Sequence, residues 1–435
     1  MQSDTGPETW PRRGDRKAEL VASNSISKTM VRRDLCIGCG YCASLGGGKM
    51  VLSPQGFLVP TREAEALGPA HEALVRAACP GVAGDTVVPL PDRCPEGATD
   101  DRLWGRHFSV ATAWSTDPAI RHAGSSGGVL TALARWLIAS GRAKSVLVTD
   151  YDADYAIGTR STCTADQAAI LGAAGSKYCP AAPLAAIAAL RESPGPHAVI
   201  ARPCDVATLR RAMAAGDALA APLLLSFFCA GTPSDLGNRA LLQEMGAGAP
   251  QDVLRFRHRG NGWPGEARAD LTDGSSRSCS YTDSWGKVLR RHLHTLCKIC
   301  PDGIGEAADL VVADAWYGDA EGYPVFDDAE GRSLVIARTA AGQELLGGAL
   351  AAGVLDSTPL AIREIDRMQP GQISRRRQLA MRVLAFRLMH HALPRYNRAA
   401  LAGYQRELSL TARLRVFAAT LGRLIAARMR QKGRA

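Results

Sequence analysis

Twelve cysteines stand in this 435-residue chain, and their spacing is its most chemical feature. Cys36-Ile-Gly-Cys39-Gly-Tyr-Cys42 places three thiols at a C-x2-C-x2-C pitch. Three thiolates so spaced wrap one corner of an iron–sulfur cube, and Gly38 and Gly40 let the chain turn tightly around it. The fourth ligand of such a cube is typically a Cys followed by Pro. Two candidates exist, Cys79-Pro80 and Cys94-Pro95, with Cys79 the first choice. Zinc is the alternative metal, but zinc sites usually pair two separate C-x2-C hooks. Cys42 is not followed by a fourth Cys-Pro, as it would be in a two-cluster ferredoxin, so one 4Fe–4S cluster is expected here.

A second group is assembled by topology. Cys204 and Cys229 each follow a short apolar strand pattern, and Cys297-Lys-Ile-Cys300-Pro301 is a two-thiol hook. In an open parallel sheet, residues just past strand ends share one rim, where ligands bind. Cys204, Cys229, Cys297 and Cys300 are therefore candidate ligands of a second 4Fe–4S cluster. For Cys204 and Cys229 the competing reading is that of small buried residues. Cys179 is a substitute ligand, whereas Cys163 and Cys279 have no partner spacing.

Two turns suit a phosphate. Gly124-Ser125-Ser126-Gly127-Gly128 opens a helical stretch, and amide groups at a helix start attract anions. Gly175-Ser176-Lys177-Tyr178 offers a cation for a pyrophosphate and a ring for stacking, or is an ordinary loop. Clusters carry single electrons, so delivery of pairs or hydride needs a converter, for which a flavin is suited.

The elements that must position these residues read as α/β. Strand-like runs over 144–150, 197–201, 222–228 and 309–313 alternate with helical patterns. The expected layout is a leader (1–30), a small ferredoxin-like cluster domain (31–100), a mostly parallel α/β domain for flavin and second cluster (101–362), and a basic helical tail (363–435). The tail holds 17 Lys/Arg against 3 Asp/Glu, so the rest of the chain is mildly acidic although the net charge is +10. Leu410, Leu414, Phe417, Leu421 and Leu424 recur at helical spacing among basic residues. That helix suits an anionic membrane surface, the acidic body or a partner subunit. Composition excludes a disordered chain, and no apolar run is long enough to span a bilayer. No basic stretch is interleaved with aromatics, so nucleic acid is not an expected partner. The thiol content without an export signal points to a reducing cytoplasm, with peripheral contact at the inner membrane face as an option. A zinc-stabilised scaffold is the non-redox alternative.

Taken together, residues 124–128, 175–178, Pro203-Cys204, Phe227-Phe-Cys229, Cys297-x-x-Cys300 and Ala308-Asp-Leu-Val-Val-Ala-Asp-Ala-Trp316 resemble the coenzyme F-420 hydrogenase/dehydrogenase beta-subunit family, over about 34–369. The resemblance implies an α/β flavoprotein oxidoreductase with FAD and iron–sulfur clusters. Relatives include 7-hydroxymethyl chlorophyll a reductase and ferredoxin-dependent divinyl chlorophyllide reductase. It places Ser125, Ser126, Gly127, Gly128, Ser176 and Lys177 around FAD. Arg202-Pro-Cys-Asp205, Cys229-Ala-Gly-Thr-Pro233 and Arg259-Gly-Asn-Gly-Trp-Pro-Gly265 look like a bacterial subgroup found beside polysaccharide-biosynthesis enzymes. The expected function is electron passage between a ferredoxin-like or deazaflavin carrier and a small organic substrate. The alternative is a non-catalytic electron-transfer subunit of a larger complex.

Overall fold

The structure is a computed structural model that describes residues 25–61, 67–83, 96–193, 195–319 and 324–432. Most of the expected leader, and Cys94-Pro95, lie outside those residues.

The N-terminal segment carries a helix, Ile26–Arg32, and a hairpin of β1 (Met50–Leu52) and β2 (Leu58–Pro60). A second hairpin pairs β3 (Thr99–Asp101) with β4 (Gly105–His107). The chain then enters an eight-stranded sheet through β5 (Ser109–Ser115), β6 (Ser145–Tyr151), β7 (Thr159–Thr164), β8 (His197–Ile200) and β9 (Leu223–Phe227). A separate antiparallel sheet of β10 (Val253–Arg257), β11 (Ala267–Leu271) and β12 (Ser276–Cys279) follows. β13 (Leu310–Asp314), β14 (Ser333–Ala337) and β15 (Leu355–Pro359) complete the large sheet, in the order β15-β5-β14-β13-β9-β8-β6-β7.

β6, β8, β9 and β13 are mutually parallel, and β5 runs their way because β14 is antiparallel to both β5 and β13. Five of the eight strands thus share one direction, as a mostly parallel sheet requires. Their composition explains the placement. β9 and β13 are nearly continuous apolar runs, suited to strands covered on both faces, whereas the edge strand β7 reads Thr-Arg-Ser-Thr-Cys-Thr. Helix Val129–Ala139 buries Val129, Ala132, Leu133 and Leu137, one stripe at helical period.

Four of the five co-directional strands lead, at their carboxyl ends, to residues or motifs singled out in the sequence. β5 leads to the Gly-Ser turn at 124–128, β6 ends beside Asp150, β8 leads to Cys204, β9 to Cys229, and β13 ends at Asp314. This is the rim at which open parallel sheets bind ligands.

One hydrophobic core runs through all the regions that the sequence separates. Ile26, Met30 and Tyr41 pack in the same cluster as Leu147 and Val206 from the α/β region, and as Leu379 and Phe386 from the helix Pro370–Leu388. The expected boundaries at 30, 100 and 362 therefore mark composition and not separate cores. Ile26 and Met30 are buried, so the ordered body begins before residue 30.

The basic tail divides in two. Helix Pro370–Leu388 buries Gln372, Ile373, Arg376, Leu379, Val383 and Phe386. The final helix, Leu410–Lys432, packs against it; its Phe417, Leu421 and Leu424 are half-buried, while Leu410 and Leu414 stay exposed. No helix among the described residues is long and apolar enough to cross a membrane.

Candidate functional site

The structure brings Cys36, Cys39, Cys42 and Cys79 near one another. Cys36, Cys39 and Cys42 flank the start of helix Tyr41–Gly46, and Cys79 caps the end of helix Pro69–Ala78. The charge of Cys79 acts on all three others. Backbone amides aim at the sulfurs: those of Gly38, Tyr41 and Ala43 donate to Cys36, Cys39 and Cys42, and those of Gly81 and Val82 to Cys79. Burial pushes the Cys36 thiol up to about 12. The two glycines of the hook have left-handed backbones. A Cβ on Gly38 would lie 2.5 Å from the Leu58 carbonyl oxygen, and one on Gly40 would lie 2.6 Å from the Ala185 nitrogen. The hook is thus pressed against its surroundings and held by them.

The second group forms on the strand-end rim. Cys204 lies in the first turn of helix Pro203–Ala214, Cys229 lies two residues past β9, and Cys297 lies in helix Thr295–Lys298. Cys229 and Cys300 act electrostatically on Cys204, and Cys297 acts on Cys229 and Cys300. The Thr232 amide donates to Cys297 Sγ at 3.4 Å, and that of Gly231 to Cys229. All eight thiols are free. No three His, Cys, Asp or Glu side chains among the described residues are arranged to hold a metal ion. A single tetrahedral ion draws its donors within about 4 Å of one another, whereas a four-iron cube holds one thiolate at each of four corners. Four neighbouring thiols suit the cube in each group, with amide donors aimed at all four in the first and at Cys229 and Cys297 in the second.

A buried ion pair stands between the groups. Arg202 donates to Asp205 from Nε at 2.7 Å and NH2 at 2.9 Å, and further to the Ala181 carbonyl and Thr232 Oγ1. The Arg202 charge reaches Cys36 in the first group and Cys204 and Cys229 in the second, and that of Asp205 reaches Cys39 and Cys204. His294 takes a capping role beside this pair, its Nδ1 accepting from the Leu296 amide at 3.1 Å.

Next to the second group lies a cavity of about 320 Å³, with Cys229 in its wall. Ser125, Ser126, Gly128, Ser176, Lys177 and Tyr178 line it, so the structure brings both phosphate-turn candidates to one place. Gly127 lies beneath them, its amide donating to Ser333 Oγ at 2.9 Å. The turns interlock where the Ser176 amide donates to Ser125 Oγ at 2.6 Å. Gly128 has φ +72°, and a Cβ there would lie 2.6 Å from the Ile120 carbonyl oxygen. No side chain caps the helix that starts at Val129, and Val129, Leu130 and Thr131 line the cavity. An anion there would meet the free amides of that helix.

Lys177 differs from the expected pyrophosphate cation. Its ammonium donates to the carbonyls of Ala173, Ala174 and Gly175 and lies 3.6 Å from Asp150 Oδ1. It thus caps the end of helix Gln167–Gly172, and burial holds its pKa below the ordinary value. Tyr178 packs on His258 and Trp285, with ring centroids 5.5 and 4.8 Å away. Cys179 is buried in the cavity wall.

The residue whose role sequence reasoning left unassigned is Arg259, noted there only as part of the motif at 259–265. It is fully buried and donates to the Pro264 carbonyl, Asp314 Oδ2 and the Ser125 carbonyl, with Tyr178 Oη at 3.4 Å. Tyr281, Trp316 and Trp263 ring its guanidinium at 4.8, 5.2 and 5.8 Å. Its neighbour His258 accepts at Nδ1 from the Tyr178 amide and faces Asn238 Oδ1 through Nε2, which fixes a neutral ring. Gln369, Gln372 and Arg375, all from the tail, were missed as well. Gln369 donates to the Asp314 carbonyl, Gln372 to that of Cys229, and Arg375 to those of Ala230 and Cys297. Their only sequence signal is polarity on the buried side of a helix.

Two converging thiol groups and a glycine-walled cavity on the strand-end rim of an α/β sheet define an electron-transfer protein of the oxidoreductase type. Family models agree. Residues 110–188 match the coenzyme F420 hydrogenase/dehydrogenase beta subunit N-terminal model, and residues 196–362 match its C-terminal model. The chain belongs to the coenzyme F420 hydrogenase/dehydrogenase beta-subunit family. Among solved structures, a chain from the F420-reducing [NiFe] hydrogenase complex of Methanosarcina barkeri is 18% identical, with a TM-score of 0.49, over 64% of this chain and 92% of that one. A search of curated proteins finds no match.

Proposed function

We propose that this chain is an iron–sulfur flavoprotein oxidoreductase that passes electrons between a ferredoxin-like or deazaflavin carrier and a small organic substrate. The observation that carries this reading is the shared wall: Cys229 belongs to the second thiol group and lines the cavity. The order is then first group, Arg202–Asp205, second group, cavity.

Cys36, Cys39, Cys42 and Cys79 would hold one 4Fe–4S cluster, and Cys204, Cys229, Cys297 and Cys300 a second. FAD, when bound in the cavity, converts single electrons to pairs. The amides at 129–131 and the turns at 124–128 and 175–176 would bind its phosphates. Arg259, clamped by Asp314 and Ser125, fixes the facing wall. Tyr178 and Tyr281 keep their protons at Oη, because burial raises both phenols above their ordinary value. They line the cavity wall as neutral phenols. Cytoplasmic location rests on the thiol content, and a link to polysaccharide biosynthesis on the sequence resemblance. The exposed Leu410, Leu414, Ile425 and Met429 on the basic last helix favour a seat on an anionic membrane face. Co-sedimentation with phosphatidylglycerol vesicles, absent with phosphatidylcholine, checks that contact.

Anaerobic purification with iron, sulfide and flavin analysis tests the function. About eight iron and one FAD per chain are expected, from two four-iron cubes and one flavin. Zinc with neither iron nor flavin overturns the reading. Iron and flavin without turnover, in a stable stoichiometric complex, would favour the electron-transfer subunit instead.

A further inference from the structure

We infer that Arg375, on a helix beyond the family-matched region, is a positioning residue that raises the reduction potential of the second thiol-bound centre. The inference rests on the proposed function and adds a residue to it.

Arg375 reaches into the site from helix Pro370–Leu388, whose first residue lies eight positions past the family match at 362. Its guanidinium donates through NH1 to the Ala230 carbonyl and through NH2 to that of Cys297 at 2.8 Å. The two carbonyls belong to the two loops that carry Cys229 and Cys297. One turn earlier, Gln372 donates to the Cys229 carbonyl at 3.2 Å. Gly303 seats this contact. Its carbonyl accepts from the Cys229 amide at 2.8 Å, and a Cβ on it would lie 2.5 Å from Gln372 Oε1. The helix is therefore docked onto the thiol loops and is not an appendage.

The Arg375 guanidinium sits against the backbone of both thiol loops. Arg202, on the other side of the group, is neutralised by Asp205, whereas Arg375 is hydrogen-bonded to main-chain oxygens and has no carboxylate partner among the described residues. Reduction adds one negative charge to a buried centre. An uncompensated cation beside it stabilises the reduced state, and hydrogen bonds, charge and burial are the levers that set such potentials.

Redox titration of anaerobically purified full-length protein, followed by electron paramagnetic resonance, tests this with Arg375→Gln and Arg375→Lys. Both variants should keep the wild-type iron content. In Arg375→Gln the reduced-to-oxidised ratio of one centre at fixed poise should fall about tenfold, equivalent to about 59 mV for one electron. Arg375→Lys should restore most of it, because charge and not the fork carries the effect. An unshifted Arg375→Gln overturns the inference. So does equal iron loss in both variants, which would make the residue a clamp for the two loops. Wild type without iron overturns the proposed function itself, and this inference with it.

Discussion

Arg259 donates from NH1 to Asp314 Oδ2 at 2.8 Å, and this pair ties the loop after β10 to the carboxyl end of β13. The arginine side chain is 1% exposed and the aspartate 21%. Removing one partner of a buried pair costs about 3–5 kcal/mol, because the other charge is left in the interior. Asp314→Ala should fall at the low end, about 3 kcal/mol, since the Pro264 and Ser125 carbonyls still accept from the guanidinium. Asp314→Asn keeps an acceptor and should lose less. Denaturant midpoints at constant m-value check both.

The two thiol groups predict separable iron loss. Cys36→Ala and Cys300→Ala should each remove about four of about eight irons and leave the other centre's spectrum in place. If Cys300→Ala left the iron unchanged, the second group would be only a set of buried thiols.

Gly128→Ala should damage the cavity twice over. The left-handed backbone costs an alanine about 1–2 kcal/mol, and its Cβ would press on the Ile120 carbonyl from 2.6 Å. The chain must shift at the helix start, so bound flavin should fall even where the protein stays folded. Flavin per chain, read alongside thermal unfolding, separates the two effects.

His258 makes stability depend on pH. Burial, with the nearby Lys177 charge, pulls its pKa down from 6.5 to about 3. The unfolded chain takes up this proton near pH 6.5 and the folded protein does not. Stability is therefore flat in this group above about 6.5 and is lost as pH falls towards 3, by up to about 1.4 kcal/mol per unit. Unfolding free energies between pH 4 and 7 should show this slope, and His258→Gln should reduce it by one proton.

Spacing along the chain made the grouping of the thiols legible. Cys36, Cys39 and Cys42 announce themselves because a hook is local, and Cys204 and Cys229 could be joined because strand ends share a rim. The tail was harder. Its arginine count suggested a solvated face, yet Arg376 is buried and donates to Tyr404 Oη at 2.9 Å, and Arg375 reaches the thiol loops. An arginine's length lets it pair across the core with no trace in local pattern. Lys177 shows the opposite limit: a cation beside glycines suits a phosphate, but the nearer acceptors are the carbonyls of its own preceding turn. Arg259 stayed hidden because its partners, Ser125 and Asp314, are 134 and 55 residues away.

Five strands of one direction hand over Asp314, Cys229, Cys204, Asp150 and the Gly-Ser turn at neighbouring ends. Adjacent strands sit about 4.8 Å apart in a stiff, close-packed interior. The lateral spacing of Asp314, Cys229 and Cys204 thereby starts from the pitch of the adjacent strands β13, β9 and β8. Outer surfaces can change in sequence while that rim keeps its pitch.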